Sequence, residues 1–408
     1  MKKLRHYQVD IANRASKIIK KHGVCYLAME VRTGKTLTAL NTAEVLGKKN
    51  VLFVTKKRAM QSIEGDYNDF GFTFDMIVVN YESLHKVQGK FDLIICDEFH
   101  SCGAFPKPSN RTKMLRNMTK GVDVLALSGT PSPESFSQIY HQFWCTNKGP
   151  FTAFNKFYDW ARVYVDVKQK RIGSHIHNDY SHGKQEMIVS AVKPYMITFT
   201  QLDAGFSTII DEEVVHIDMK KTTYNLAKKL LKDRVVEKDD KLILADTPAK
   251  LQQKLHQIYS GTIILEDGEP MTIDDSKLRY IEERFKDEKI GIFYQYKQEL
   301  VAIKEYFGDK ITEDVNEFNT TDKNIALQFV SGREGINLSK AKYLVNYNIS
   351  FSATTYWQAR DRMSTIDRKS NDVVWLFSKN GLEDKVYDAV KGKRKYTTEL
   401  FKKDLFSL

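Results

Sequence analysis

The chain has 408 residues, 28% of them charged and 42% hydrophobic, an ordinary globular composition with length for two to three domains that each bury a core. No run approaches the roughly 18 apolar residues of a membrane span and the first residues lack the apolar stretch of a secretory signal, so a membrane partner is not expected and a cytoplasmic or other intracellular place is. The net charge of +11 is uneven: residues 1–145 carry 21 Lys/Arg against 13 Asp/Glu, a basic balance that suits a polyanion such as nucleic acid.

Residues 1–21 predict a helix, with Leu4, Tyr7, Ile11, Ala15 and Ile18 at helical spacing. Gln8 falls just inside it. A side-chain amide can pair with an adenine edge, although a solvent-facing glutamine reads the same at this position. An apolar run, Val24 to Ala28, then leads into Met29-Glu30-Val31-Arg32-Thr33-Gly34-Lys35-Thr36 and a helix-like stretch. Strand, tight loop and helix start form the context of a phosphate-binding loop. Backbone N–H groups at the helix N-terminus point at phosphate and the helix dipole favours its charge. Thr33 and Gly34 shape the loop, Lys35 reaches the β- and γ-phosphates, and the Thr36 hydroxyl serves Mg²⁺. Met29 stands where the strict motif has its first glycine.

Asn50 to Thr55 predicts a buried strand, followed at once by Lys56-Lys57-Arg58. At the end of a parallel strand such a cluster sits on the ligand edge of the sheet, where Lys56 either meets a nucleic-acid backbone or begins a helix on solvent. A second strand, Met76 to Glu82, ends on Asn80 and Tyr81, which read as contacts to a backbone or base, or as a strand cap. The next, Phe91 to Cys96, ends in Asp97-Glu98. Adjacent carboxylates repel, so a buried strand rarely ends this way for stability alone. The chemical reading gives Asp97 to Mg²⁺ and Glu98 to the attacking water, with His100 coupling them to a neighbouring motif. The fifth strand, Val122 to Leu127, closes on Ser128-Gly129-Thr130-Pro131, whose hydroxyls can report on the acidic pair.

Alternating strands and helices through residue 145 predict a doubly wound parallel sheet that binds nucleotide. Residues 146–270 lose that rhythm and read as a helical insertion and linker, helical over Lys220 to Asp240 and Pro248 to Tyr259. Their aromatics, Phe151, Phe154, Phe157, Tyr158, Trp160 and Tyr164, read as core. The rhythm returns in 271–408, with strands at Ile290 to Tyr294, Asn324 to Val330, Tyr343 to Tyr347 and Val373 to Phe377, and helices at Lys277 to Phe285, Lys297 to Phe307 and Thr354 to Met363. This second α/β domain has no phosphate loop of its own. Cys25, Cys96, Cys102 and Cys145 show no paired spacing, which reads as a reducing interior. His100 near two of them lacks the second ligand pair of a zinc finger.

The order Leu-Arg-His-Tyr-Gln, Gly-Lys-Thr, Asp-Glu-Phe-His, Ser-Gly-Thr-Pro, Gly-Ile-Asn-Leu, Gln-Ala-Arg-Asp-Arg resembles the superfamily 2 helicases and translocases, closest to the Swi/Snf-like branch, over roughly residues 4–368. The resemblance implies an α/β fold of two RecA-like domains that form an ATP cleft and act on nucleic acid. It implies that Gln8 reads adenine, Lys35 and Thr36 serve phosphate and Mg²⁺, and Asp97 and Glu98 hydrolyse. It makes Ser128 to Thr130, with His100 and Gln358, the coupling set, and Lys56, Asn80, Tyr81 and Ser331 the strand track. It brings Gly335 near the nucleotide and makes Arg362 an arginine finger. Gly261 and Ser276-Lys277-Leu278 look like the branch's lead-in to its second domain. Two positions depart from the pattern: Thr365 replaces a second arginine, and Thr55 replaces a proline. The implied function is a DNA-dependent ATPase that translocates on duplex or branched DNA, with ATP and Mg²⁺ as cofactors, as a monomer. An RNA-dependent helicase and a non-catalytic nucleic-acid-binding subunit are the alternatives.

Overall fold

The computed structural model describes residues 3–172, 175–206, 209–238, 241–329, 338–352, 355–356 and 370–392. They fall into two compact units, one ending at Phe206 and one spanning 209 to Gly392.

In the first unit, helix α1 (His6–His22) precedes β1 (Val24–Met29), α2 (Lys35–Val45), β2 (Asn50–Thr55), α3 (Met60–Phe70), β3 (Asp75–Asn80), β4 (Leu93–Cys96), α4 (Asn110–Met118) and β5 (Asp123–Ser128). Then come α5 (Gln138–Trp144), α6 (Phe157–Tyr164), a two-stranded hairpin of β6 (Lys168–Ile172) and β7 (His175–Asp179), α7 (Gln185–Val192) and β8 (Met196–Phe199). Six strands make a parallel sheet in the order β3-β2-β4-β5-β1-β8. A parallel sheet covered on both faces calls for continuous apolar strands, and all six residues of β1 are buried. Its period-2 geometry sends Val24, Tyr26 and Ala28 into one core layer and Cys25, Leu27 and Met29 into the other. The aromatics of 151–164 pack as core: Phe151, Phe157 and Trp160 are buried against Tyr140.

The second unit opens with β9 (Ile209–Ile217) and α8 (Lys221–Asp233). The hairpin β10 (Val235–Lys238)–β11 (Lys241–Leu244) follows, then α9 (Pro248–Tyr259) and the hairpin β12 (Thr262–Ile264)–β13 (Pro270–Thr272). The chain continues through α10 (Ser276–Arg284), β14 (Ile290–Tyr294), α11 (Lys297–Phe307), β15 (Ile311–Thr312), α12 (Val315–Thr320), β16 (Asn324–Gln328), β17 (Tyr343–Asn346), β18 (Ser370–Ser378) and α13 (Glu383–Gly392). Its sheet is also parallel and six-stranded, ordered β15-β16-β14-β17-β18-β9. Both sheets are RecA-like, as expected for the fold class.

The stretch 146–270 is not one helical insertion. Its β8 adds to the first sheet beside β1, and its β9 pairs with β18 along nine residues of the second. The expected helix over Lys220 to Asp240 ends at Asp233, where Arg234 takes a left-handed φ of 63° and the chain turns into β10. Beneath the second sheet, Lys277 and Glu383 form an ion pair at 3.4 Å with both side chains fully buried. Lys277 also donates to the Tyr347 carbonyl at 3.1 Å, and the Glu383 carboxylate accepts from Ser378 N and Oγ, each at 3.1 Å. A buried pair this well supplied keeps its desolvation offset, so the lead-in lysine is a structural anchor.

Candidate active site

The site is built at the C-terminal edge of the first sheet, where β1, β2, β4 and β5 release their loops. After β1 the chain makes the tight turn into α2 that is expected to bind phosphate. Gly34 has φ 79° and caps α2, whose first N–H groups lack intrahelical acceptors. A side chain at Gly34 would be strained by that φ and would meet Gln8 Nε2 at 2.2 Å. The loop is closed by Thr33 Oγ1 donating to Glu30 O (2.7 Å) and Thr38 Oγ1 to Gly34 O (3.0 Å). The Lys35 ammonium donates to Glu30 O at 3.3 Å, curling back over the loop. Thr36 lies in the first turn of α2.

Gln8 is buried. Its Oε1 accepts from Arg5 N (2.8 Å), closing the capping box of α1, and its Nε2 donates to Gly34 O (3.3 Å). It therefore ties the start of α1 to the phosphate loop.

Asp97 leaves β4 beside that loop. Its Oδ2 accepts from Thr55 Oγ1 at 3.0 Å, and its backbone N–H donates to Val54 O at 2.8 Å. Burial, with Glu98 next to it, pushes the Asp97 carboxyl up to about 6, while the Lys35 charge and the Thr55 hydroxyl pull the other way. Thr55, which departs from the family's proline, thus supplies a hydroxyl to the key carboxylate. Glu98 takes a left-handed φ of 47°, an uncommon conformation outside glycine that turns the chain sharply after the strand. His100 Nδ1 lies 2.9 Å from Ser128 Oγ and 3.3 Å from Glu98 Oε2, and Ser128 Oγ accepts from Thr130 N at 3.1 Å. The imidazole joins the acidic pair to the loop after β5. A Cβ on Gly129 would stand 3.6 Å from the Lys35 ammonium, so that loop also borders the phosphate loop.

The structure brings together Gln8, Thr33, Gly34, Lys35, Asp97, Glu98, His100, Ser128, Gly129 and Thr130. Ser331, Gly335, Gln358 and Arg362, with Thr365, lie outside the described residues. Tyr81 is corrected. It is 2% exposed, its hydroxyl donates to Asp97 O at 2.6 Å, and the Arg111 guanidinium covers its ring at 5.2 Å. Its polar atom and its face are both engaged, so it props the Asp97 turn and offers nothing to a strand. Asn80 Oδ1 caps the following 3-10 turn by accepting from Ser83 N at 2.9 Å, the strand-cap reading. Lys56 follows β2 half-buried, with exposed Lys57 and Arg58 after it. All four cysteines are buried free thiols, and among the described residues no three-ligand His/Cys/Asp/Glu metal group occurs. Among those residues no helix is long and apolar enough to cross a membrane.

Sequence reasoning missed Tyr7, Thr55, Phe199 and Gln201. Tyr7 OH donates to Thr33 O (3.1 Å) and its ring stacks on Phe199 at 4.8 Å. Gln201 Nε2 donates to Val31 O at 3.1 Å. Only Thr55 carried a signal, as a departure from the family pattern.

The expected phosphate loop, the acidic pair and the hydroxyl-rich loop after β5 thus lie at one edge of the first parallel sheet, and a second parallel six-stranded sheet follows in the chain. Residues 308–366 match the model of the helicase conserved C-terminal domain. That match covers 59 of the 408 residues, all of them within the second unit. Solved structures similar to it include the Sulfolobus solfataricus SWI2/SNF2 ATPase core in complex with dsDNA, 16% identical, covering 99% of this chain and 94% of that one with a TM-score of 0.43. The same organism's SWI2/SNF2 ATPase core domain is also 16% identical, covering 97% of this chain and 89% of that one with a TM-score of 0.42. No curated protein matches the chain.

Proposed function

We propose that the chain is a DNA-dependent ATPase that translocates on duplex or branched DNA. The observation that supports this best is the junction at His100, which lies within 3.3 Å of both the Glu98 carboxylate and Ser128 on a neighbouring loop. A hydrolytic carboxylate wired to a second loop is what a motor needs and a passive nucleotide binder does not.

In this reading the α2 N-terminus and Lys35 hold the nucleotide phosphates. The remaining N–H and lone pair of the Gln8 amide face the adenine edge. Asp97 and Thr36 suit Mg²⁺, a hard cation that takes one or two protein oxygens beside phosphate and water. The raised Asp97 pKa marks a carboxylate whose charge the protein alone does not compensate. The ion, when bound, neutralises charge developing on the phosphates. Glu98 orients and deprotonates the attacking water, and His100 passes the state of that carboxylate to Ser128 and Thr130. Lys56, Lys57 and Arg58 contact backbone phosphate, and Arg362, Gly335, Gln358 and Ser331 keep the roles that the resemblance implies.

Steady-state ATP hydrolysis with no nucleic acid, single-stranded DNA, duplex or branched DNA, and RNA, at one salt concentration, tests this. Stimulation by duplex or branched DNA is expected, with nucleic-acid affinity falling by a log–log salt slope of about −0.9 per phosphate contact. Stimulation by RNA alone would make the chain an RNA motor. Absence of turnover under every condition would leave a binding subunit.

A further inference from the structure

The phosphate loop is held from outside at four of its residues. Two ties come from the start of α1: Tyr7 OH to Thr33 O and Gln8 Nε2 to Gly34 O. The others come from the end of β8. Glu30 N donates to Phe199 O at 2.9 Å, Gln201 N donates to Glu30 Oε2 at 2.8 Å, and Gln201 Nε2 donates to Val31 O at 3.1 Å. The turn carrying Gln201 is itself stiffened. Thr200 N and Oγ1 both donate to Asp203 Oδ2 at 2.8 Å, and Phe206 N donates to Gln201 O at 3.0 Å.

The loop needs such support. Met29 replaces its first glycine, and Arg32 sits at a φ of 63°, where a side chain is rarely tolerated. An anion cradle binds only while successive N–H groups converge, and a loop without the usual glycines keeps that shape less well alone. The brace also has a telling position. The first unit ends at Phe206, and β9 of the second sheet starts at Ile209. The residue pinning the loop is therefore a few residues from the point where the chain leaves for the second unit.

We infer that Glu30 and Gln201 are positioning residues for the phosphate loop, holding the shape on which nucleotide affinity depends. This rests on the nucleotide-hydrolysing reading above. Gln201 meets the loop twice, through its backbone N–H at the Glu30 carboxylate and through its side-chain amide at Val31 O.

Titration with a fluorescent ATP analogue, with KM and kcat measured alongside, provides the test on the full chain. Glu30→Ala removes the carboxylate that accepts from Gln201 N and is expected to weaken nucleotide binding about tenfold, mainly through KM, on the scale of one lost charge-assisted hydrogen bond, while Gln201→Ala keeps its backbone N–H, loses only the neutral Nε2 bond to Val31 O and is expected to weaken it about fivefold. Glu30→Gln keeps an oxygen acceptor for Gln201 N and is expected within about threefold of the parent. Unchanged affinity in Glu30→Ala or Gln201→Ala overturns the inference, as do equal losses in Glu30→Gln and Glu30→Ala. Lys35→Ala separates the two ideas, because undiminished binding and turnover there would sink the nucleotide reading itself.

Discussion

With the edge strands β8 and β15 left out and the remaining sheet strands numbered within each unit, the two sheets share a strand order. The first runs 3-2-4-5-1 through β3, β2, β4, β5 and β1, and the second runs 3-2-4-5-1 through β16, β14, β17, β18 and β9. They part at the turn after the first strand. After β1 the α2 N-terminus is left for an anion by Gly34 and Lys35. After β9 the corresponding helix, α8, meets the protein's own carboxylate: Asp274 Oδ2 accepts from Lys220 N at 2.7 Å and Thr223 Oγ1 at 2.5 Å, while its Oδ1 accepts from Ser276 N at 2.9 Å. Burial pushes the Asp274 carboxyl up, but these donors outweigh it and hold it below the usual range. In the reading proposed above, one scaffold thus carries an anion site in one copy and a self-filled one in the other. Topology supplies the place, and a few side chains decide whether it does chemistry.

The sharpest way to break this contrast is to disable each copy's charge. Glu98→Gln should lower ATP turnover about 10²–10⁴-fold with little change in melting temperature, as for loss of a general base. Asp274→Ala should leave the residues of the first site in place and instead destabilise the second unit by about 1.5–3 kcal/mol in denaturant unfolding. A turnover loss in Asp274→Ala as deep as in Glu98→Gln would show that the copies are not separable. Removing one partner of the buried pair, as in Glu383→Ala, strands the Lys277 charge and should cost about 3–5 kcal/mol by the same measurement.

Acid sharpens the comparison, because the two aspartates respond with opposite sign. Asp97 has a folded pKa of about 6, above its ordinary 3.8. The folded state therefore binds the extra proton between those values, and this contribution to stability grows as pH falls through 6. Mg²⁺–nucleotide binding needs the carboxylate and should weaken about tenfold per pH unit below 6. Asp274, held low, contributes stability present above its unfolded pKa and lost as pH falls below it. Nucleotide affinity measured from pH 5 to 8, with unfolding followed from pH 3 to 7, checks both signs. The smallest effect belongs to Tyr81→Phe, which removes only the hydroxyl on Asp97 O and should cost about 1 kcal/mol.

What the sequence made legible follows from burial. Strands β2 and β14 and helices α9 and α11 match their expected bounds, because apolar runs or helical periods between clear breakers leave little choice. That the residues of the expected phosphate loop, the acidic pair and the Ser-Gly-Thr turn meet at one sheet edge was legible because each follows a buried parallel strand. β9 was hidden because it carries Asp211, Glu212, Glu213 and His216. The reason is tertiary: Glu212 Oε2 accepts from Tyr356 OH (2.7 Å), Tyr387 OH (3.0 Å) and Trp375 Nε1 (3.2 Å), and Glu213 pairs with Arg284. Partners far away in sequence make a charged strand viable, and no local period announces them. Tyr81 erred the other way. A polar-tipped aromatic at a strand end looks available until its hydroxyl is found on a backbone carbonyl.

The pairing of β9 with β18 also bears on how the protein is made. β9 is synthesised before the whole insertion that follows it, and its partner along Ser370–Ser378 emerges roughly 150 residues later, about 8–30 s at ordinary translation rates. The first sheet is complete with β8, before β9 leaves the ribosome. For that interval β9 is an unpaired edge, the kind of surface that recruits other chains. Its run of carboxylates, the feature that disguises it as a non-strand, keeps it soluble while it waits.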